Sequence, residues 1–156
     1  QDSDEYLLCS DAGYGFITRF ADMQSKNKAG KALITLPPNA RVLAPGLLPA
    51  GSDVWIATVT NEGRLLVFPA ADLPRLGKGK GNRLINISAA RASAAEELMV
   101  SVRAFHTTDI LLVYSGKRHL KLKFSDLEHY LGERGRRGNK LPRGFQSVDR
   151  LDIVQP

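Results

Sequence analysis

The sequence predicts an all-β chain built of propeller-like blades, about three of them with about four short strands each. Three observations point there. An internal repeat of roughly fifty residues runs through the chain: the turn glycines Gly13, Gly63 and Gly116 recur at spacings of 50 and 53, and Asp22, Asp72 and Asp126 at 50 and 54. Within each copy an apolar run, a polar turn bearing glycine and a second apolar or alternating run spell a β-hairpin. Helical patterns are scarce. A unit of this size cannot bury its own face without neighbours, so the copies are expected to stack as blades at 1–50, 51–104 and 105–156. Three blades do not close a ring, and the expected form is an open arc or a segment cut from a larger ring.

The first copy reads Leu7-Leu8-Cys9-Ser10-Asp11-Ala12-Gly13, then Phe16-Ile17-Thr18-Arg19-Phe20. The second reads Ile56-Ala57-Thr58-Val59-Thr60-Asn61-Glu62-Gly63, then Arg64-Leu65-Leu66-Val67-Phe68. In the third, Ile110-Leu111-Leu112-Val113-Tyr114 turns at Ser115-Gly116 into a return strand that alternates. Leu120, Leu122 and Phe124 share one face, and His119, Lys121 and Lys123 the other. One face is core and the other cationic. Each copy continues into a basic, glycine-containing stretch: Lys28-Ala29-Gly30-Lys31, Lys78-Gly79-Lys80-Gly81-Asn82-Arg83, and Arg134-Gly135-Arg136-Arg137-Gly138-Asn139-Lys140. The sequel to the second, Leu84-Ile85-Asn86-Ile87, reads as a strand. Leu98 to Arg103 alternates as another strand. Ser125-Asp126-Leu127-Glu128 fits a capping box opening one or two helical turns, and Ala89 to Leu98 reads as a short helix or a loop. The acidic pair Glu96-Glu97 is expected to be solvated.

Charge is the first functional lead. The chain carries 22 Lys and Arg against 16 Asp and Glu, a formal net charge of +6. Residues 1–116 hold 12 basic and 11 acidic side chains, whereas residues 117–156 hold 10 and 5. A clustered basic excess is the footprint of a polyanion binder. No apolar run approaches the roughly 20 residues of a spanning helix, and residues 1–5 do not resemble a signal peptide, so no membrane association is expected. The single cysteine, Cys9, sits among apolar residues and is expected to be buried filler in a reducing cytosol.

Gly77-Lys78-Gly79-Lys80-Gly81 invites a phosphate-loop reading and fails on context. Nucleotide loops open a helix whose N-terminus meets the phosphates, and a strand is expected here instead. Glycine does let such a loop approach a phosphate backbone. The stretch from Arg134 repeats the chemistry with arginine, whose guanidinium can donate two parallel hydrogen bonds to one phosphate. Five basic residues lie between 134 and 143 with no acid among them. No nucleophile elbow or zinc spacing organises the serines and histidines, so no catalytic or metal-binding residue is assigned.

Ser10-Asp11-Ala12-Gly13-Tyr14-Gly15-Phe16, Asn27 through Leu36, Asp72-Leu73-Pro74 through Asn82, and Gly132-Glu133-Arg134-Gly135-Arg136-Arg137-Gly138 together closely resemble the C-terminal domains of bacterial topoisomerase IV A subunits. The match spans nearly the whole chain in order. The resemblance implies a β-pinwheel, a propeller-like arrangement whose neighbouring blades exchange strands and whose basic rim bends DNA. With about five or six blades in the family's larger pinwheels, this chain would be the last three. The related gyrase domain carries a box of the form Q-[RK]-R-G-G-[RK]-G. Residues 133–138 lack its glutamine and its adjacent glycines, which favours weak bending over chiral wrapping.

The resemblance therefore implies a non-catalytic module of an ATP-dependent type IIA topoisomerase. It would hold duplex DNA for strand passage in decatenation and supercoil relaxation, in the bacterial cytoplasm at the nucleoid. The expected phosphate contacts are Arg64, Lys78, Lys80, Arg83, Lys117, Arg118, Lys121, Lys123, Arg134, Arg136, Arg137, Lys140 and Arg143. No cofactor is expected on this chain. ATP and Mg would belong to the whole enzyme. The implied partners are double-stranded DNA, the rest of the A subunit, one further A subunit, plus the ATPase B subunit. The alternative is a propeller-type protein-interaction scaffold with a basic rim.

Overall fold

The computed structural model describes residues 3–23 and 33–156. Three hairpins organise it: β1 (Glu5–Cys9) with β2 (Tyr14–Arg19), β4 (Val54–Thr60) with β5 (Arg64–Pro69), and β8 (Ile110–Ser115) with β9 (Arg118–Leu122). A strand from the same repeat returns beside the first strand of each hairpin. These are β3 (Gly46–Leu47) on β1, β7 (Met99–His106) on β4 and β11 (Arg150–Val154) on β8.

The second strand of a hairpin takes its partner from the next repeat. β6 (Asn82–Arg83) pairs with β2, and β10 (Asn139–Lys140) with β5. The sheet orders are β3-β1-β2-β6, β10-β5-β4-β7 and β11-β8-β9, so the sheets exchange strands as a β-pinwheel does. Two glycines permit the exchange. Gly81 (φ +80°) and Gly138 (φ +72°) each precede a donated strand where it crosses the host hairpin. A Cβ at Gly81 would lie 2.1 Å from the Gly15 carbonyl oxygen, and one at Gly138 2.6 Å from that of Leu65.

Among the described residues the third sheet has three strands, one fewer than the two before it. The fourth strand of each of those two sheets is donated by the following repeat. With Phe68 of β5 set against Leu122 of β9, the fully buried Leu65 and Val67 correspond to His119 and Lys121, which are exposed. The outer face of the third sheet is therefore polar where that of the second is apolar.

The middle sheet is covered on both sides, which explains why β4 and β5 read as nearly continuous apolar runs. Ile56, Leu66 and Phe68 join Leu7, Ile17, Leu84, Ile85 and Met99 in one core. Ala57, Val59, Leu65 and Val67 join Phe105, Leu111, Val113, Leu127 and Leu141 in the other.

Two local expectations change. Leu84, Ile85 and Ile87 are buried, but 84–87 is irregular rather than a strand. Its amides bond loops instead of a ladder: Leu84 N–H donates to Gly13 O and Asn86 N–H to Arg136 O. The expected capped turns are a 3-10 helix (Phe124–Tyr130), in which the Asp126 carboxylate accepts from the Lys123 amide at 2.9 Å. The segment after Ile87 forms α1 (Ala89–Ser93), with Ser88 Oγ accepting from the Arg91 amide at its start. The basic stretch at Lys28 to Lys31 lies outside the described residues.

Candidate nucleic-acid interface

Strand donation puts the basic loops where repeats meet. Loop 77–82 leads into β6 on the first sheet, and loop 133–138 into β10 on the second. The two lie against each other: Gly135 N–H donates to Leu84 O at 2.8 Å, and Arg134 Nη1 to Arg83 O at 2.7 Å.

The thirteen expected phosphate-contacting residues divide into two groups. Arg64, Arg83, Arg134 and Arg137 are half-buried and engaged with the protein itself. Arg64 Nη1 donates to Gly138 O, tying β5 to the loop that reaches it. Arg83 donates to the Tyr14 hydroxyl at 2.7 Å and to Asn86 Oδ1. Arg134 Nε adds a bond to Asp72 O at 2.8 Å, and Arg137 Nη1 donates to Asn86 O at 2.7 Å and forms an ion pair with the Glu97 carboxylate at 3.0 Å. The guanidiniums of Arg64, Arg134 and Arg137 satisfy backbone carbonyls at the seams between repeats, where exchanged strands leave acceptors outside regular ladders, and that of Arg83 holds side chains there.

The other nine, Lys78, Lys80, Lys117, Arg118, Lys121, Lys123, Arg136, Lys140 and Arg143, are exposed. Among the described residues Arg136 meets a carboxylate, Glu133 at 3.3 Å, and the remaining eight form no ion pair. Lys80 Nζ rests 4.4 Å from the centre of the Tyr14 ring, which holds its charge at the lip of the first seam. Lys121 and Lys123 project from the open side of the third sheet, and Arg118 reaches the backbone at Gly144, beside Arg143. The cations thus form clusters on loops 77–82 and 133–140, on the β8–β9 turn and along β9.

Three features escaped the sequence reading. Glu97, expected in solvent with Glu96, is 1% exposed and forms ion pairs with both Arg91 and Arg137 at 3.0 Å. Arg91 is shared by Glu62, Glu96 and Glu97, and its hydrogen bond to Glu62 holds that carboxyl below its ordinary pKa. Arg150 stacks over the Tyr114 ring at 3.9 Å, next to His119, and adds a cation to the third cluster. No strand or helix period marks these pairings, because they join residues of different elements or of one irregular segment.

The glycine-lysine loop does not fit a nucleotide. Its central glycine is committed to a chain segment, with Gly79 N–H donating to Leu33 O and Gly79 O accepting from Thr35 N–H, and β6 follows the loop rather than a helix. Among the described residues no cluster of three or more His, Cys, Asp or Glu side chains is placed to hold a metal ion. None of the described helices is long and apolar enough to cross a membrane.

Fold and surface together define a strand-exchanging β-propeller module whose seam loops present cations. The chain belongs to the family of DNA gyrase C-terminal domains of β-propeller type, whose family model matches residues 4–48 and 55–89. It is 52% identical over 151 residues to the A subunit of DNA topoisomerase 4 from Pseudomonas aeruginosa, covering 97% of this chain and 20% of that protein. To the Escherichia coli K12 protein of the same name it is 46% identical over 155 residues, 99% of this chain and again 20% of the relative. The chain therefore spans about a fifth of the curated relatives it matches. The E. coli ParC C-terminal domain superposes with a TM-score of 0.88 at 44% identity, covering all of this chain and 62% of that domain. A gyrase A C-terminal domain shares the fold, with a TM-score of 0.74 at 19% identity over 99% of this chain and 50% of the other.

Proposed function

We propose that this chain, as three blade repeats at 1–50, 51–104 and 105–156, is a duplex-DNA-binding and bending module of a type IIA topoisomerase. The observation that carries the reading is the set of eight exposed cations that form no ion pair among the described residues, on loop 77–82, on the β8–β9 turn, along β9 to Lys123, and from β10 to Arg143. Such side chains meet phosphates without reading bases, so they supply affinity and register rather than sequence preference. Selectivity then comes from the cost of curving the duplex along a rim.

The module holds one DNA segment for passage through another, in decatenation and supercoil relaxation. Breakage and reunion of DNA, the ATP site and its Mg belong to other parts of a topoisomerase IV assembly: the rest of the A subunit, one further A subunit, plus the ATPase B subunit. Action at the bacterial nucleoid follows from the same reading. The kinship with topoisomerase IV A subunits supports it.

The test is a salt titration of duplex binding. If about six phosphates are neutralised, log K falls against log salt with a slope near −5. A slope near zero, or no binding of duplex at low salt, overturns the proposal. Tighter binding of an acidic polypeptide than of plasmid DNA would favour a protein-interaction scaffold.

A further inference from the structure

Glu97 is an acid buried beneath the most basic loop of the chain. Its Oε1 accepts from Arg91 Nη1, on α1, at 3.0 Å and forms an ion pair with Arg137 Nη1, in loop 133–140, also at 3.0 Å. Burying a carboxylate is costly unless it is paired, and here two guanidiniums provide the pairing. Arg91 is itself anchored by Glu62 and Glu96. The arrangement therefore runs from a fixed helix, through one buried carboxylate, to the loop.

That loop needs such an anchor. Arg134, Arg136, Arg137 and Lys140 lie within seven residues and repel one another. Its backbone is held to the preceding repeat by Gly135 N–H to Leu84 O and by Asn86 N–H to Arg136 O at 2.9 Å. The second of these places Arg136, whose side chain is 70% exposed, immediately before the residue that Glu97 grips.

We infer that Glu97 is a positioning residue of the DNA interface: it clamps Arg137 and so fixes Arg136 and Lys140 for phosphate contact. The inference rests on the DNA-binding reading above and goes beyond it, because it assigns to a buried anion a favourable effect on binding a polyanion. Simple charge counting predicts the opposite, since loss of Glu97 raises the formal net charge of +6 by one unit.

The experiment uses the 156-residue chain and a duplex of mixed sequence. Glu97→Gln preserves shape and removes the charge. The expected result is binding weakened about fivefold at fixed salt, with the salt slope shallower by about one. Amide exchange should quicken at Gly135 and Asn86 and stay unchanged in β4 and β5. Arg137→Gln should weaken binding in the same direction, and the double variant should lose no more than the worse single one, because both break one linkage. Should Glu97→Gln lose its cooperative unfolding transition, Arg137→Gln with the same exchange readout decides the matter. Binding by folded Glu97→Gln equal to or tighter than that of the unmodified chain overturns the inference and leaves DNA binding intact. Failure of the unmodified chain to bind duplex overturns the DNA reading itself, and unchanged exchange at Gly135 and Asn86 overturns the clamp regardless of DNA.

Discussion

Arg134 of the third repeat donates through Nη1 to the backbone carbonyl of Arg83 in the second, at 2.7 Å, while its Nε donates to Asp72 O at 2.8 Å. One guanidinium thus closes the seam between two repeats. Two residues later Arg136 points outward with an exposed carboxylate neighbour. Arginines that look alike in the sequence carry different tasks.

Their separation is measurable. Arg134→Ala leaves two carbonyls without a charged donor and should lower stability by about 2 kcal/mol in urea unfolding. Arg136→Ala should leave the unfolding midpoint in place and make the salt slope of DNA binding shallower by about one, uniformly across duplex sequences. Equal effects of the two substitutions on stability would contradict the division.

The strand exchange depends on the two crossing glycines. Gly81→Ala and Gly138→Ala place a methyl group against a backbone carbonyl at a positive φ, and each should cost about 3 kcal/mol by thermal or chemical denaturation. Gly77→Ala, in open space one turn earlier, is the control and should be close to neutral.

Cys9 lies within the first core, and burial pushes its thiol up to about 12. Native protein should resist alkylation at about pH 8, with full labelling only in denaturant, because the thiolate is the reactive form. Rapid labelling of folded protein would show that the first sheet opens locally.

Glu62 titrates below its ordinary value of 4.5, chiefly through its hydrogen bond to Arg91. A carboxyl depressed in the folded state adds stability that is fully present above its unfolded pKa and is lost as pH falls through the folded one. Acidification from about pH 5 should therefore loosen the Arg91 cluster. Glu62→Gln should flatten the stability profile across that range, as read from urea midpoints at successive pH values.

The sequence by itself determined the repeat, the hairpins and the kinship. Turn glycines and apolar runs are local signals, set by backbone sterics and the two-residue period of a strand. The alternation of Leu120, Leu122 and Phe124 with His119, Lys121 and Lys123 likewise announced one core face and one cationic face, and β9 keeps both. Tertiary structure alone decided which sheet a strand joins. Asn82–Arg83 and Asn139–Lys140 are too short to announce themselves, and each belongs to the hairpin of the preceding repeat because that hairpin offers a free ladder edge. It also decided which cations remain available. Composition counts Arg134, Arg136 and Arg137 alike, but hydrogen bonds to carbonyls some fifty to sixty residues away consume the first and third. Glu97 shows the same limit from the acidic side, since the partners that make its burial tolerable meet only when the repeats are packed.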